Sequence, residues 1–160
     1  MVGIAGSPAK CDLLTSELGF HAALDYHRPN LASALRRAAP DGVDCYFDNV
    51  GGAVSQAVVL NMNQRGRVAV CGAISGYQDS RPALLPALQP SMVAKQLRME
   101  GFLVWRWLDR WQEATLRLID WLEQGELVTR QTEYHGFLSL PAAFTAMLQG
   151  RNTGKMIVRA

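Results

Sequence analysis

Few residues in this sequence have the types and spacing that chemistry needs. Ser7 and Lys10 lie where a short apolar run, Val2-Gly3-Ile4-Ala5, gives way through Gly6 to a helical pattern opened by Pro8. Ser7 is a good N-cap and Pro8 a good first helical residue. A helix start carries free N–H groups and the positive end of the helix dipole. A hydroxyl and an ammonium added there suit a phosphate. In sheets that bind NAD, the second strand usually ends in an acid that takes the ribose 2′-hydroxyl. No acid stands at that place here, so the pattern favours a 2′-phosphate and NADPH. The alternative is a capped surface helix with a solvated lysine. Tyr26 ends the next short apolar run and can close over the same phosphate or pack half-buried on a sheet. Asn49, between an apolar run and Gly51-Gly52, suits a ribose or a carboxamide, but Asn near Gly is also ordinary turn chemistry. Tyr77 is the one candidate acid near the proposed active face: a phenol can donate to an oxyanion and stabilise an enolate. Its alternative is a loop tyrosine without a role.

These residues need elements to position them. Residues 2–19 read as strand, tight turn and helix, stopped by Gly19. Residues 22–26 read as a strand and 30–38 as a helix, with Pro40-Asp41-Gly42 as a turn. Residues 43–50 read as a strand, 53–62 as a helix, 64–66 as a turn and 67–74 as a buried strand. Pro82, Pro86 and Pro90 exclude a continuous helix or central strand between residues 76 and 91. A short helix over 92–97, a strand over 99–105 and a long amphipathic helix ending at Gly125 follow. Residues 132–137, 141–148 and 155–159 read as strand, helix and strand. Alternating units of this length predict an α/β fold with a parallel sheet and helices on its faces. Ligands of such sheets bind outside the carboxyl ends of the strands. That rule selects Gly6-Ser7, Tyr26, Asn49 to Gly51, Cys71 to Tyr77, and Phe102 to Val104.

Composition narrows the function classes. Charged residues make up 19% and net charge is +2, without a basic run, which argues against nucleic-acid binding. Cys11, Cys45 and Cys71 are far apart and odd in number, which argues against a disulfide framework or a structural zinc and for buried free thiols. His21, His27 and His135 lack acidic or nucleophilic partners and read as surface or structural. Trp105, Trp107, Trp111 and Trp121 read as core and interface. No apolar run is long enough to span a bilayer, and the start has no basic segment followed by an apolar one. The expected location is cytoplasmic. No G-x-S-x-G, phosphate-loop or metal motif is present, and no strand precedes Val2 to carry a G-x-G-x-x-G turn.

The segments VGIAGSPAK, ALDYH, PDGVDCYFDNVGG, GRVAVCGAISGY, LRMEGFLVWRW, PAAFTAMLQG and NTGKMIV resemble, in order and over essentially the whole chain, the C-terminal half of the prostaglandin reductases. This family is also called leukotriene B4 12-hydroxydehydrogenases or zinc-independent alkenal/one oxidoreductases, within the medium-chain dehydrogenase/reductase superfamily. The resemblance implies NADPH-dependent reduction of the carbon–carbon double bond of α,β-unsaturated ketones and aldehydes, as in lipid metabolism, without a metal. It implies cofactor contacts at Ser7, Lys10 (the 2′-phosphate), Tyr26 (the adenosine side), Asn49, the loop Cys71, Gly72, Ala73, Ile74, Ser75, Gly76 and Tyr77, the strand Phe102, Leu103 and Val104, and Asn152. Tyr77 matches the tyrosine that helps bind the substrate carbonyl. The Pro-rich loop after it resembles a substrate-pocket flap.

Against that family the chain departs in one way: the catalytic domain, the first Rossmann strand and its glycine-rich turn are missing. The expected organisation is a partial NADP-binding Rossmann domain over 1–128 and a segment over 129–160 that in the family packs on the missing domain. An incomplete sheet leaves two facing edges open, as in a fragment or splice form, or one whose gap another chain fills. The isolated chain is expected to bind NADPH weakly without turnover. Competing readings are an inactive module that dimerises through the sheet edge near Met99–Trp105, and an NADPH quinone reductase of the same superfamily.

Overall fold

The computed structural model describes residues 1–77 and 86–160; Pro82, and with it most of the Pro-rich loop, lies outside the described residues. The chain begins with β1 (Val2–Ala5), α1 (Pro8–Ser16) and β2 (Ala22–Asp25). Ser7 is extended and its hydroxyl accepts from the Lys10 amide, with Pro8 opening the helix. Next come α2 (Leu31–Ala38), β3 (Val43–Asp48), α3 (Gly52–Val59) and β4 (Met62–Val70). After them stand α4 (Gln89–Lys95), β5 (Arg98–Gly101), α5 (Trp111–Glu123), β6 (Gln131–His135), α6 (Leu140–Leu148) and β7 (Lys155–Arg159).

Every strand pairing is parallel, as the alternation of elements predicts. β1 pairs with β2, β3–β4–β5 form a second sheet in that order, and β6 pairs with β7. The expected Rossmann-like α/β architecture is present, and among the described residues its sheet is interrupted between β1 and β3. The core gathers where α2 and α3 cover β4: Leu35, Val58, Val59, Met62 and Val68 are buried together. The C-terminal β6–α6–β7 unit is tied to α1, with the Lys10 ammonium donating to the Gly150 carbonyl at 2.6 Å and Arg130 pairing with Glu17.

Several sequence expectations are corrected. The helix predicted to reach residue 62 ends at Val59, and Met62 already belongs to β4. Asn63 to Gly66 are a bulge rather than a turn: Val43 pairs with Met62 but Cys45 with Arg67, and Arg65 takes a left-handed φ of 61° to absorb the extra residues. β4 ends at Val70, and Ile74 lies in a short 3-10 turn. The strand expected over 99–105 covers only Arg98–Gly101, and Val104 opens another 3-10 stretch. The helix expected over 92–97 starts three residues earlier, with Pro90 in its first turn, where the missing N–H costs no helical bond. The thiols are free but not buried: Cys45 lies on open β3 and Cys71 just past the end of β4. The tryptophans lie outside the core, all four being exposed.

Candidate functional site

The residues selected at the strand ends fall into two groups, both at the carboxyl ends of parallel strands. The first surrounds the start of α1. Tyr26 lies against the Gly6 turn so closely that a Cβ on Gly6 would fall 2.7 Å from the phenol oxygen. Its ring also meets His27, at 4.4 Å between centroids. Lys10 spends one of its three N–H donors on Gly150, leaving two for an anion. The Gly150 turn also brings Asn152 into this neighbourhood, where its side-chain amide donates to the Gly154 carbonyl at 2.7 Å.

The second group surrounds the ends of β3, β4 and β5. Asp48, only 3% exposed, organises it. One carboxylate oxygen accepts from the Tyr46 hydroxyl at 3.0 Å and from the amides of Val50 and Gly51 at 3.0 and 2.9 Å. The Asp48 carbonyl accepts from Cys71 at 2.7 Å, and the Asn49 carbonyl accepts from Ile74 at 3.2 Å. These bonds stitch the turn after β3 to the loop after β4. Gly72 then passes so near Asn49 that a Cβ there would fall 2.5 Å from the amide oxygen. Ser75 donates its amide to Val50, with its hydroxyl beside Gly52. Burial, and next the charge and hydrogen bond of Asp48, push the Tyr46 phenol well above its ordinary range.

Cys71, Gly72, Ala73 and Tyr77 line an open pocket of about 550 Å³ together with Phe102 and Leu103. The sequence rule therefore brings these residues to one place, although Phe102 to Val104 are not a strand; the Phe102 amide still donates to Val70, which holds the segment against β4. Ile74, Ser75 and Gly76 form the turn behind the pocket, and Val104 stands past its rim. Tyr77 is 71% exposed and its hydroxyl accepts from the Ala73 amide at 3.2 Å, so the phenol proton is free to point elsewhere.

Arg106, which sequence reasoning missed, also lines this pocket. It donates to Glu100 at 2.6 Å and to the Gly101 carbonyl at 3.2 Å, and its guanidinium lies 5.3 Å from the Trp107 ring centroid. Arg106, then Arg98, hold the Glu100 carboxyl below its usual range. The signal available in the sequence was an arginine set between two tryptophans directly after a strand.

Gly6 packs too closely on Tyr26, and Gly72 on Asn49, for either to carry a side chain, and Lys10 lies in the first turn of the helix after Gly6. These features fit a dinucleotide carrying an extra phosphate near Lys10. Among the described residues no three His, Cys, Asp or Glu side chains gather in a way that could hold a metal ion.

Parallel strands crossed by helices, with donors and glycine turns at their carboxyl ends, define a dinucleotide-binding fold of the Rossmann type. A family model described as zinc-binding dehydrogenase matches residues 18–158, and the chain belongs to that family, within the medium-chain dehydrogenase/reductases. It is 46% identical to prostaglandin reductase 1 of Mus musculus over 100% of this chain and 49% of that protein. It is 41% identical to a protein named putative NADP-dependent oxidoreductase YfmJ of Bacillus subtilis (strain 168), over 99% of this chain and 48% of that protein. The crystal structure of CurA in complex with NADPH from Vibrio vulnificus superposes with a TM-score of 0.92 at 33% identity, covering 99% of this chain and 49% of that one. The chain thus spans about half the length of the curated relatives it matches. Although the family description names zinc, the dispersed cysteines and histidines here do not fit that ion.

Proposed function

We propose that this chain is the cofactor-binding portion of an NADPH-dependent reductase acting on the carbon–carbon double bond of α,β-unsaturated ketones and aldehydes. One observation carries the reading: an open pocket walled by Cys71–Ala73, Tyr77 and Phe102–Leu103 at the ends of β4 and β5, in a chain whose α1 start offers Ser7 and Lys10 to a phosphate. Prostaglandin reductase 1 is the name of several relatives, and a neighbouring structure contains NADPH, which supports the same assignment.

When bound, the dihydronicotinamide would supply the reducing equivalent. The chain's own residues position and polarise. Lys10, with Ser7, takes the 2′-phosphate; Tyr26 covers the adenosine side. Asn49, fixed by the Asp48 turn, takes a ribose or the carboxamide. Phe102 and Leu103 wall the pocket and exclude water from one side. Tyr77 donates its phenol proton to the substrate carbonyl oxygen and so stabilises the enolate that forms there. Residues 1–128 act as the dinucleotide-binding domain, and 129–160 steady α1 through Gly150 and Arg130.

A chimera tests this: replace the matching half of mouse prostaglandin reductase 1 with this chain. The chimera is expected to oxidise NADPH with a 2-alkenal or an enone as acceptor, and Tyr77→Phe to lower kcat about tenfold to a hundredfold. A folded chimera that reduces quinones but not enones contradicts the substrate class.

A further inference from the structure

We propose that Arg106 is a positioning residue: its guanidinium clasps the end of β5 and so fixes Phe102 and Leu103 as the wall of the pocket assigned to the nicotinamide half of the cofactor. The inference rests on the cofactor reading above and adds a residue to it.

β5 ends where the wall begins. The Phe102 amide donates to the Val70 carbonyl at 3.1 Å and holds that residue to β4. In a trans peptide the carbonyl points opposite to the following N–H, so the Gly101 carbonyl faces away from β4. β5 is the outer strand of its sheet, and among the described residues no strand meets that carbonyl. Arg106 meets it instead, donating from Nη2 at 3.2 Å. Its Nη1 donates to the Glu100 carboxylate at 2.6 Å, and its backbone amide donates to the Leu103 carbonyl at 3.1 Å. One residue thus ties down Glu100, Gly101 and Leu103, on both sides of Phe102.

The rings continue the same brace. The guanidinium lies 5.3 Å from the Trp107 centroid, within range of a cation–π contact. Trp107 meets Phe102 edge-on at 5.4 Å, and Phe102 meets Phe47 at 6.0 Å. Leu103 has little packing of its own, being 67% exposed, although it lines the pocket with Cys71, Gly72 and Tyr77. Its place therefore depends on the bonds that Arg106 makes. Reaching a carboxylate and a carbonyl at once, over an aromatic face, uses the planar fork of arginine; a lysine ammonium offers a point charge on a flexible stem.

Titration of the full chain with two nucleotides tests this. NADPH carries both halves of the cofactor; adenosine 2′,5′-bisphosphate carries the 2′-phosphate and lacks the nicotinamide. Arg106→Met is expected to weaken NADPH about fivefold or more, the scale of one or two lost hydrogen bonds, and to leave the bisphosphate unchanged. Arg106→Lys should behave like the methionine variant. Hydrogen exchange without any nucleotide gives a second readout: the Phe102 amide should exchange about fivefold faster in both variants, with the amides of β4 unaltered. If the methionine variant does not fold, Glu100→Gln, which weakens one of the two guanidinium bonds, makes the same comparison. Equal losses for both nucleotides, NADPH affinity retained in Arg106→Met, or full rescue by lysine would overturn the proposal. Equal affinity of the parent chain for NADPH and the bisphosphate would contradict the cofactor reading itself, whereas unchanged Phe102 exchange would contradict the clasp alone.

Discussion

Asp48 is the residue on which the second half of the site turns, and nothing in its type marked it in advance. In VDCYFDNVGG it is Asn49 whose amide has an obvious use, whereas the Asp48 carboxylate acts through bonds to Tyr46, Val50 and Gly51 that hold the turn. The Ser7 cap was legible because capping is a local property. Arg106 was not, since its partners Glu100 and Gly101 are brought to it by the end of β5. Tyr46 offers a test of the Asp48 cluster. Its folded phenol ionises above the ordinary value of 10.0, first through burial and then through Asp48. Below that value both folded and unfolded chains keep the proton, and the contribution to stability is fully present. Above it the unfolded chain loses its proton first, so stability falls as pH rises. Urea unfolding of Tyr46→Phe against the parent should show a loss of about 1 kcal/mol at neutral pH and a shallower decline above pH 10.

Among elements, those set by local rules were read best. β7 falls on the predicted residues, and α1 begins at the predicted cap and proline. Errors arose where tertiary pairing overrode local pattern. The Gln64-Arg65-Gly66 tripeptide has turn chemistry, yet parallel pairing with β3 carries the strand through it as a bulge. The aromatic run after Gly101 has strand propensity, but among the described residues β5 pairs with β4 alone and the run coils instead. α5 carries the apolar stripe that the sequence predicts, with Leu118, Ile119 and Leu122 exposed on it. Leu118→Lys should therefore change stability by no more than about 0.5 kcal/mol. Val59→Ala, at a position with 0% exposure, should cost about 2 kcal/mol from two lost methyls and the cavity they leave. Thermal unfolding of both variants checks the contrast.

For the whole molecule, fold class and parallel topology followed from alternation of elements, and the interrupted sheet followed from the strand that the resemblance required and the sequence lacked. The structure adds that the interruption is bounded by two backbone edges and apolar walls. It also adds that the C-terminal unit grips α1 beside the proposed phosphate site. We propose that this half-length chain carries the part of the family fold that recognises the 2′-phosphate of NADPH. Calorimetric titration of NADPH and NADH into the chain and into Lys10→Met tests it most directly. NADPH should bind at least about tenfold more tightly than NADH, weakly in absolute terms, and Lys10→Met should erase that preference while leaving NADH unchanged, as loss of one charge-assisted hydrogen bond requires. Equal affinity for both nucleotides in the parent chain, or a preference that survives Lys10→Met, would contradict it.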